Sequence, residues 1–351
     1  LQSKRNGTPI SDPAVHLNIP LSEVADAKVS IRDNGPGMDP DTLVRAAKAG
    51  WSGQNSTDSL GLFGMGFNIA TARLGSVTTV WSTRAGDKEW NGLQIDFAKL
   101  QSQRSFATPR ITRPKAEISE HGTEVTIERL KPDQLKWFAT AANRTKLKNE
   151  LSRTYSAMLR ANGAPIGFKL HLGPKLVSGI SHCVWGGHES EQRSVQTARH
   201  GAIDAYQSIS VSLGDRYYCL KHTLWLAAGE KDCPFCGGAS QDVINRQRKV
   251  TGWLGIQRYL SVTNYGVDFL RNGRKIEIGN KELFFWGDTD SGINELEYPI
   301  DDPRGRGRIV GEIHIDHCRV TYTKDRFERN DLAWHEMVEC VRFLLDDTDG
   351  D

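Results

Sequence analysis

The sequence predicts an α+β protein in two domains: a mixed sheet with helices on one face, then a second α/β domain carrying a cysteine-rich insertion. Three observations predict this. The 351 residues, 38% of them hydrophobic, suffice for two cores. Between residues 24 and 130 several alternating apolar-polar runs follow one another with few helical patterns between them, which favours a mixed sheet over a doubly wound parallel one. Between residues 219 and 238 cysteine, histidine, proline and glycine crowd together.

In chain order, "AKVSIRD" (27–33) reads as a strand and "DPDTLVRAAKAG" (39–50) as a helix. A polar, glycine-rich stretch leads into helical "GMGFNIATARLG" (64–75). Strands follow at "VTTVWSTRAG" (77–86), "WNGLQIDFA" (90–98) and "GTEVTIERL" (122–130). Residues 131–159 carry helical spacing and read as the linker, with domains expected at 1–135 and 136–351. The second domain shows strands near "VDFLRNGRKIEI" (267–278) and "GRIVGEIHID" (307–316), and a last helix around "DLAWHEMVECVRFLL" (331–345).

Forty-five basic against forty-three acidic side chains create no global field arguing for nucleic acid or membrane, so any basic surface is local. No window approaches the roughly 18 apolar residues of a membrane span, and "LQSKRNGTPI" has no signal-peptide core. The expectation is a soluble protein of the cytoplasm or nucleus, with no membrane partner. Six cysteines are too sparse for a disulfide scaffold and point to metal ligation in a reducing compartment.

"IRDNGPGM" (31–38) places Asp33 at a strand end beside Gly35 and Gly37. A carboxylate accepts from an exocyclic amine, and a backbone passing close to a flat ligand excludes a Cβ. "GLFGMGF" (61–67) sets Gly61, Gly64 and Gly66 at the start of a helix ended by Gly75, where free N–H groups and the positive dipole end receive phosphates. No GxxxxGK[ST] is present, which closes the P-loop route. In "HGTEVTI" (121–127), Thr123 opens a strand.

These three boxes, in this order, resemble those of the GHKL ATPase superfamily of gyrase B, MutL, histidine kinases and heat-shock-type chaperones. The resemblance implies a Bergerat-type ATP-binding α/β sandwich in which Asp33 takes the adenine amino group and Gly35, Gly37, Gly61, Gly64, Gly66 and Thr123 surround the nucleotide. It carries Met38, Leu62, Phe63, Met65 and Phe67 over as neighbours of ATP, and residues 45–60 as a lid. Family members also place, one helix upstream, a Glu that activates water and an Asn that binds Mg²⁺. Residues 1–28, with prolines at 9, 13 and 20, contain no such helix, and neither Asn6 nor Glu23 has the right order or context. Either that helix precedes residue 1, which the missing Met allows, or the chain binds nucleotide without efficient hydrolysis.

"GEIHIDHCRVTYTKDRFERNDLAW" (311–334) resembles the end of the ribosomal-S5-like transducer of MORC-type members, with Thr321, Lys324 and Phe327 in a Thr-x-x-Lys-x-x-Phe pattern. This makes Lys324 the expected γ-phosphate lysine, against the alternative of a solvated surface lysine. Residues 151–159 look like the opening helix of that transducer.

Cys219, His222, Cys233 and Cys236 form C-x2-H and C-x2-C pairs ten residues apart, a closed set suited to structural Zn²⁺. His182-Cys183 and His317-Cys318 are adjacent pairs whose side chains point apart on a strand, and read as core or surface residues. The basic loops 103–115 and 303–308 either touch phosphate backbones or are solvated. The implied function is a nucleotide-gated dimerising clamp using ATP, Mg²⁺ and Zn²⁺. Its implied partners are a second copy of the chain and DNA or another protein. The alternative is a non-catalytic ATP-responsive scaffold.

Overall fold

In the computed structural model, residues 10–47, 66–103, 108–159, 167–186, 193–197, 201–237, 241–288, 293–296 and 306–343 are described. The chain forms two compact units that divide between Ile180 and Ser181.

The first unit contains β1 (Ala14–Asn18), β2 (Val29–Asp33), α1 (Pro40–Ala46), α2 (Gly66–Leu74), β3 (Gly75–Thr83), β4 (Glu89–Asp96), α3 (Phe97–Gln103), β5 (Arg110–Pro114), β6 (Gly122–Leu130), α4 (Pro132–Ala139), α5 (Ala141–Thr154), α6 (Ser156–Leu159), β7 (Lys169–Leu172) and β8 (Lys175–Val177). Its strands make one eight-stranded sheet, ordered β5-β4-β3-β6-β2-β1-β7-β8. The β1–β7 pair is parallel and its neighbours antiparallel, so the sheet is mixed, as expected.

Period-two alternation puts Val29 of β2, Val125 and Ile127 of β6, Val80 of β3 and Leu93 of β4 on one face. Leu43 of α1 and Phe67 of α2 pack against Val80 and Leu93, while Phe138 of α4 packs against Val29 and Ile127. These helices therefore cover the same face. Each fully buried aliphatic or aromatic side chain contributes about 1.5–3 kcal/mol.

Three expectations shift. Strand 90–98 stops at Asp96, whose Oδ1 accepts the Lys99 N–H at 3.1 Å and starts α3. The helical stretch 131–159 is three helices, broken where Thr140 turns extended and at Tyr155. It belongs to the first unit rather than linking two, as do residues 151–159, because Phe138 and Leu147 join the core under β2 and β6. The unit boundary accordingly falls after 180 and not at 135, since β7 completes the sheet by pairing with β1.

The second unit holds β9 (Ser194–Thr197), β10 (Gly201–Asp204), β11 (Tyr206–Cys219), β12 (Leu224–Trp225), β13 (Val243–Ser261), β14 (Gly266–Arg271), β15 (Arg274–Asn280), β16 (Phe285–Asp288), β17 (Ile293–Leu296), β18 (Gly307–His314) and α7 (Leu332–Phe343). Six strands form its main sheet, ordered β12-β11-β13-β18-β14-β15, with β14 and β18 parallel. Trp334 of α7 meets Phe269 of β14 edge-on at 5.1 Å and stacks on Phe327 at 5.8 Å. Elsewhere in the unit Lys275 is buried with its Nζ 2.5 Å from Asp268 and 2.8 Å from Glu312, and His182 joins Asp268 at 3.1 Å. This cluster is internally paired, the ammonium sitting where the two carboxylates would otherwise repel. Among the described residues no helix is long and apolar enough to cross a membrane.

Candidate nucleotide site and metal centre

Strand register brings two of the three sequence boxes together. Asp33 of β2 lies opposite Thr123 of β6, and Thr123 opposite Ser82 of β3, so the three side chains form a row on the helix-covered face. Ser82 Oγ lies 3.0 Å from Thr123 Oγ1, donates to the Gly122 carbonyl at 3.1 Å, and accepts the Met38 N–H at 2.9 Å. It thereby ties the end of the DxGxG turn to the Gly-Thr strand. The sequence reading missed Ser82, whose only signal was its alternation with Val80 along β3.

The glycines have a steric reason. Gly37 has φ of +73°, and a Cβ there would lie 1.8 Å from the Thr83 carbonyl oxygen. At Gly122, with φ of +132°, a Cβ would come within 2.1 Å of the Asp33 carbonyl oxygen. The Gly35 N–H donates to Asp33 Oδ1 at 2.7 Å, so a single carboxylate oxygen is engaged by the turn. His121, also unassigned by sequence, sits with Nδ1 2.9 Å from the Gly35 carbonyl oxygen and braces the same turn.

Burial raises the Asp33 pKa above the ordinary carboxylate value, against the lowering effect of N–H groups at Gly35 and Thr123 and of His121. A half-buried acceptor, partly shielded from solvent, discriminates between an amine donor and a competing acceptor. Asp39 caps α1, accepting the Thr42 N–H and hydroxyl at 2.8 Å each, and those bonds lower its pKa. Gly66 and Phe67 open α2, and Phe67 packs with Met38 in the core under the site. Gly61, Leu62, Phe63, Gly64 and Met65 lie outside the described residues, as do 48–60 of the expected lid.

In the second unit the four metal-ligand candidates converge. His222 Nδ1 lies 3.5 Å from Cys219 Sγ and 3.4 Å from both Cys233 Sγ and Cys236 Sγ, with 3.7 Å between Cys219 and Cys236. Tetrahedral zinc bonds predict S···N edges of about 3.5 Å and S···S edges of about 3.8 Å, so the donor set has zinc dimensions. Burial opposes ionisation of Cys233, yet bonds from the Phe235 N–H and from Cys219 and Cys236 bring its pKa below the ordinary thiol value. Cys219 and Cys233 are buried beside Leu226, which anchors the cluster at the end of β11.

Lys324 has φ of +56°, and its N–H donates to the Thr321 carbonyl at 3.0 Å in a tight turn. Thr321 and Thr323 hydroxyls both donate to Asp325 Oδ1, at 2.9 and 2.5 Å, which fixes that turn. Burial, then Arg274 and Arg271, lower the Lys324 pKa. Those arginines face each other as the last pair of the β14–β15 hairpin, whose Asn272 and Gly273 both have positive φ. Phe327 is buried against Phe269, so it serves the core. Of the basic loops, residues 104–107 and 303–305 are outside the described set; in the remainder Arg110 pairs with Asp41 and Arg113 with Glu124.

Comparison with known proteins agrees with this geometry. Residues 6–130 match the family described as histidine kinase-, DNA gyrase B- and HSP90-like ATPases, so the first unit carries a domain of the GHKL ATPase superfamily. The chain is similar to Protein MICRORCHIDIA 3 of Arabidopsis thaliana, 42% identical over 84 residues, covering 23% of this chain and 14% of that protein. It is also similar to Protein MICRORCHIDIA 1 of the same plant, 40% identical over 57 residues, covering 16% of this chain and 9% of that protein. The chain thus matches only a small part of each relative's length.

Proposed function

We propose that this chain is an ATP-binding ATPase module that works as a nucleotide-gated, dimerising clamp of the MORC type. The observation that carries the reading is the Asp33–Thr123–Ser82 row, a half-buried acceptor held at the end of a turn that closes tightly because Gly37 and Gly122 carry no Cβ. Asp33 receives the adenine amino group, Thr123 and Ser82 set the edge of the base, and the N-terminal end of α2 faces the phosphates. ATP brings Mg²⁺ with it, and the four Cys and His ligands hold a structural Zn²⁺ that shapes the second unit. The second unit, from Ser181 onward, is the S5-like transducer, with Lys324 answering to the γ-phosphate. A gate of this kind needs the γ-phosphate to favour the closed state over the open one, since equal affinity for both would shift nothing. DNA or a partner protein is the object held.

A second reading is a non-catalytic ATP-responsive scaffold whose output is protein association. The test is the mass of the full chain in solution with and without a non-hydrolysable ATP analogue, alongside phosphate release from ATP. Doubling of mass with release supports the clamp ATPase. Doubling without release leaves the scaffold, and a monomer unchanged by the analogue rejects both.

A further inference from the structure

We propose that Ser82 is a positioning residue for base selection: it fixes the Thr123 hydroxyl so that the site meets the C6 position of a purine with acceptors, admitting a 6-amino base and rejecting a 6-oxo one. This role rests on the adenine reading of the first unit given above, and adds to it the residue that sets the choice of base.

A serine hydroxyl has one proton to give and two lone pairs to receive with. Ser82 is fully buried on β3, and its whole capacity is taken. The proton goes to the Gly122 carbonyl at 3.1 Å, an acceptor with nothing to give back, and one lone pair takes the Met38 N–H at 2.9 Å. The Thr123 hydroxyl, 3.0 Å away, meets the lone pair that remains. Thr123 is therefore the donor in that contact, and its proton is spent on β3. Its N–H is committed as well, to the Asp33 carboxylate. What the Thr123 hydroxyl keeps for a ligand is its lone pairs.

Asp33 and Thr123 are cross-strand partners, so those lone pairs lie beside the carboxylate. Neighbouring donors are spent in the same way, the Gly35 N–H on Asp33 Oδ1 and His121 Nδ1 on the Gly35 carbonyl. Adenine presents an amine donor at C6, whereas a 6-oxo purine presents a carbonyl acceptor there. Adjacent acceptors receive the amine and repel the carbonyl, which would lose its water without gaining a hydrogen bond. A Thr123 hydroxyl free to rotate would blunt the choice by turning its proton toward that carbonyl. Ser82 withholds the freedom.

The test is equilibrium titration of the full chain with ATP and with inosine triphosphate, whose base carries a 6-oxo group in place of the amine. The parent should prefer ATP by about tenfold or more, and Ser82→Ala should cut that preference at least about threefold. In a Thr123→Val background the hydroxyl is gone, so adding Ser82→Ala should leave the ratio of the two affinities unchanged. Losing the bonds to Met38 and Gly122 weakens both nucleotides in the same proportion, so the ratio separates positioning from support of the fold. A parent preference that Ser82→Ala leaves intact, or a ratio that still shifts in the Thr123→Val background, overturns the role of Ser82 and spares the adenine reading. A parent that binds the two nucleotides equally overturns the adenine reading, and this role with it.

Discussion

Burial makes Asp33 a costly carboxylate to ionise. Its folded-state pKa lies above the ordinary value of 3.8, so the unfolded chain loses this proton first. The stability tied to the neutral carboxyl is complete below that ordinary value and is lost as pH rises through the higher folded value. At neutral pH the charge is kept at the expense of the fold, which is the pattern of a functional group rather than a structural one. Asp33→Asn retains an oxygen for the Gly35 N–H but, on the proposed reading, would turn an amide donor toward the adenine amine. We expect its melting temperature near pH 7 to equal or exceed that of the parent, the difference shrinking as pH falls toward 3.8. ATP affinity should fall at least tenfold, about 1.4 kcal/mol. Melting curves across pH and an equilibrium ATP titration check both halves, and full ATP affinity in the variant would remove Asp33 from adenine recognition.

At the scale of elements, what could be read from sequence was what local pattern determines. The strand at 122–130 and the last helix follow from alternation and from 3.6-residue spacing, and two close Cys/His pairs give the knuckle because a tight turn sets each pair. The candidate site was legible to the same extent: Asp33, Gly37 and Thr123 stand in motifs, whereas Ser82 and His121 matter through cross-strand register. The long strands β11 and β13 were missed. A register shift between Ser212 and Asp215 breaks the alternation of β11, and its residues are largely polar. β11 ends in Cys219, the first of the four candidate metal ligands, which ties that cluster to strand order. We therefore expect Cys236→Ser to lower bound zinc from one equivalent per chain to near zero, measured by elemental analysis. Structural zinc binds with roughly 10–16 kcal/mol apparent free energy, so even a residual ~3 kcal/mol loss would lower the second unit's melting temperature by about 6–12 °C. ATP binding by the first unit should be unaffected.

At the scale of the whole molecule, pairings distant in sequence decide the architecture. Ala14 pairs with Lys169, so the first sheet is completed by residues that the sequence reading places in the second domain. No periodicity within a window reports such a pairing, because its driving force is the closing of a core across the intervening chain. The same limit applies to Lys324, whose motif was legible while its neighbours Arg271 and Arg274, fifty residues earlier in the chain, were not assigned. Gathering like charges costs electrostatic energy that an anion would repay. The clamp reading assigns that anion to the γ-phosphate, which ADP lacks. Lys324→Ala should therefore weaken analogue-driven dimerisation at least tenfold, about 1.4 kcal/mol, while leaving ADP affinity within twofold. Sedimentation with the analogue and calorimetry with ADP separate the two effects. Equal losses in both would mean that Lys324 supports the fold of its turn, with Thr321 and Asp325, and takes no part in sensing the third phosphate.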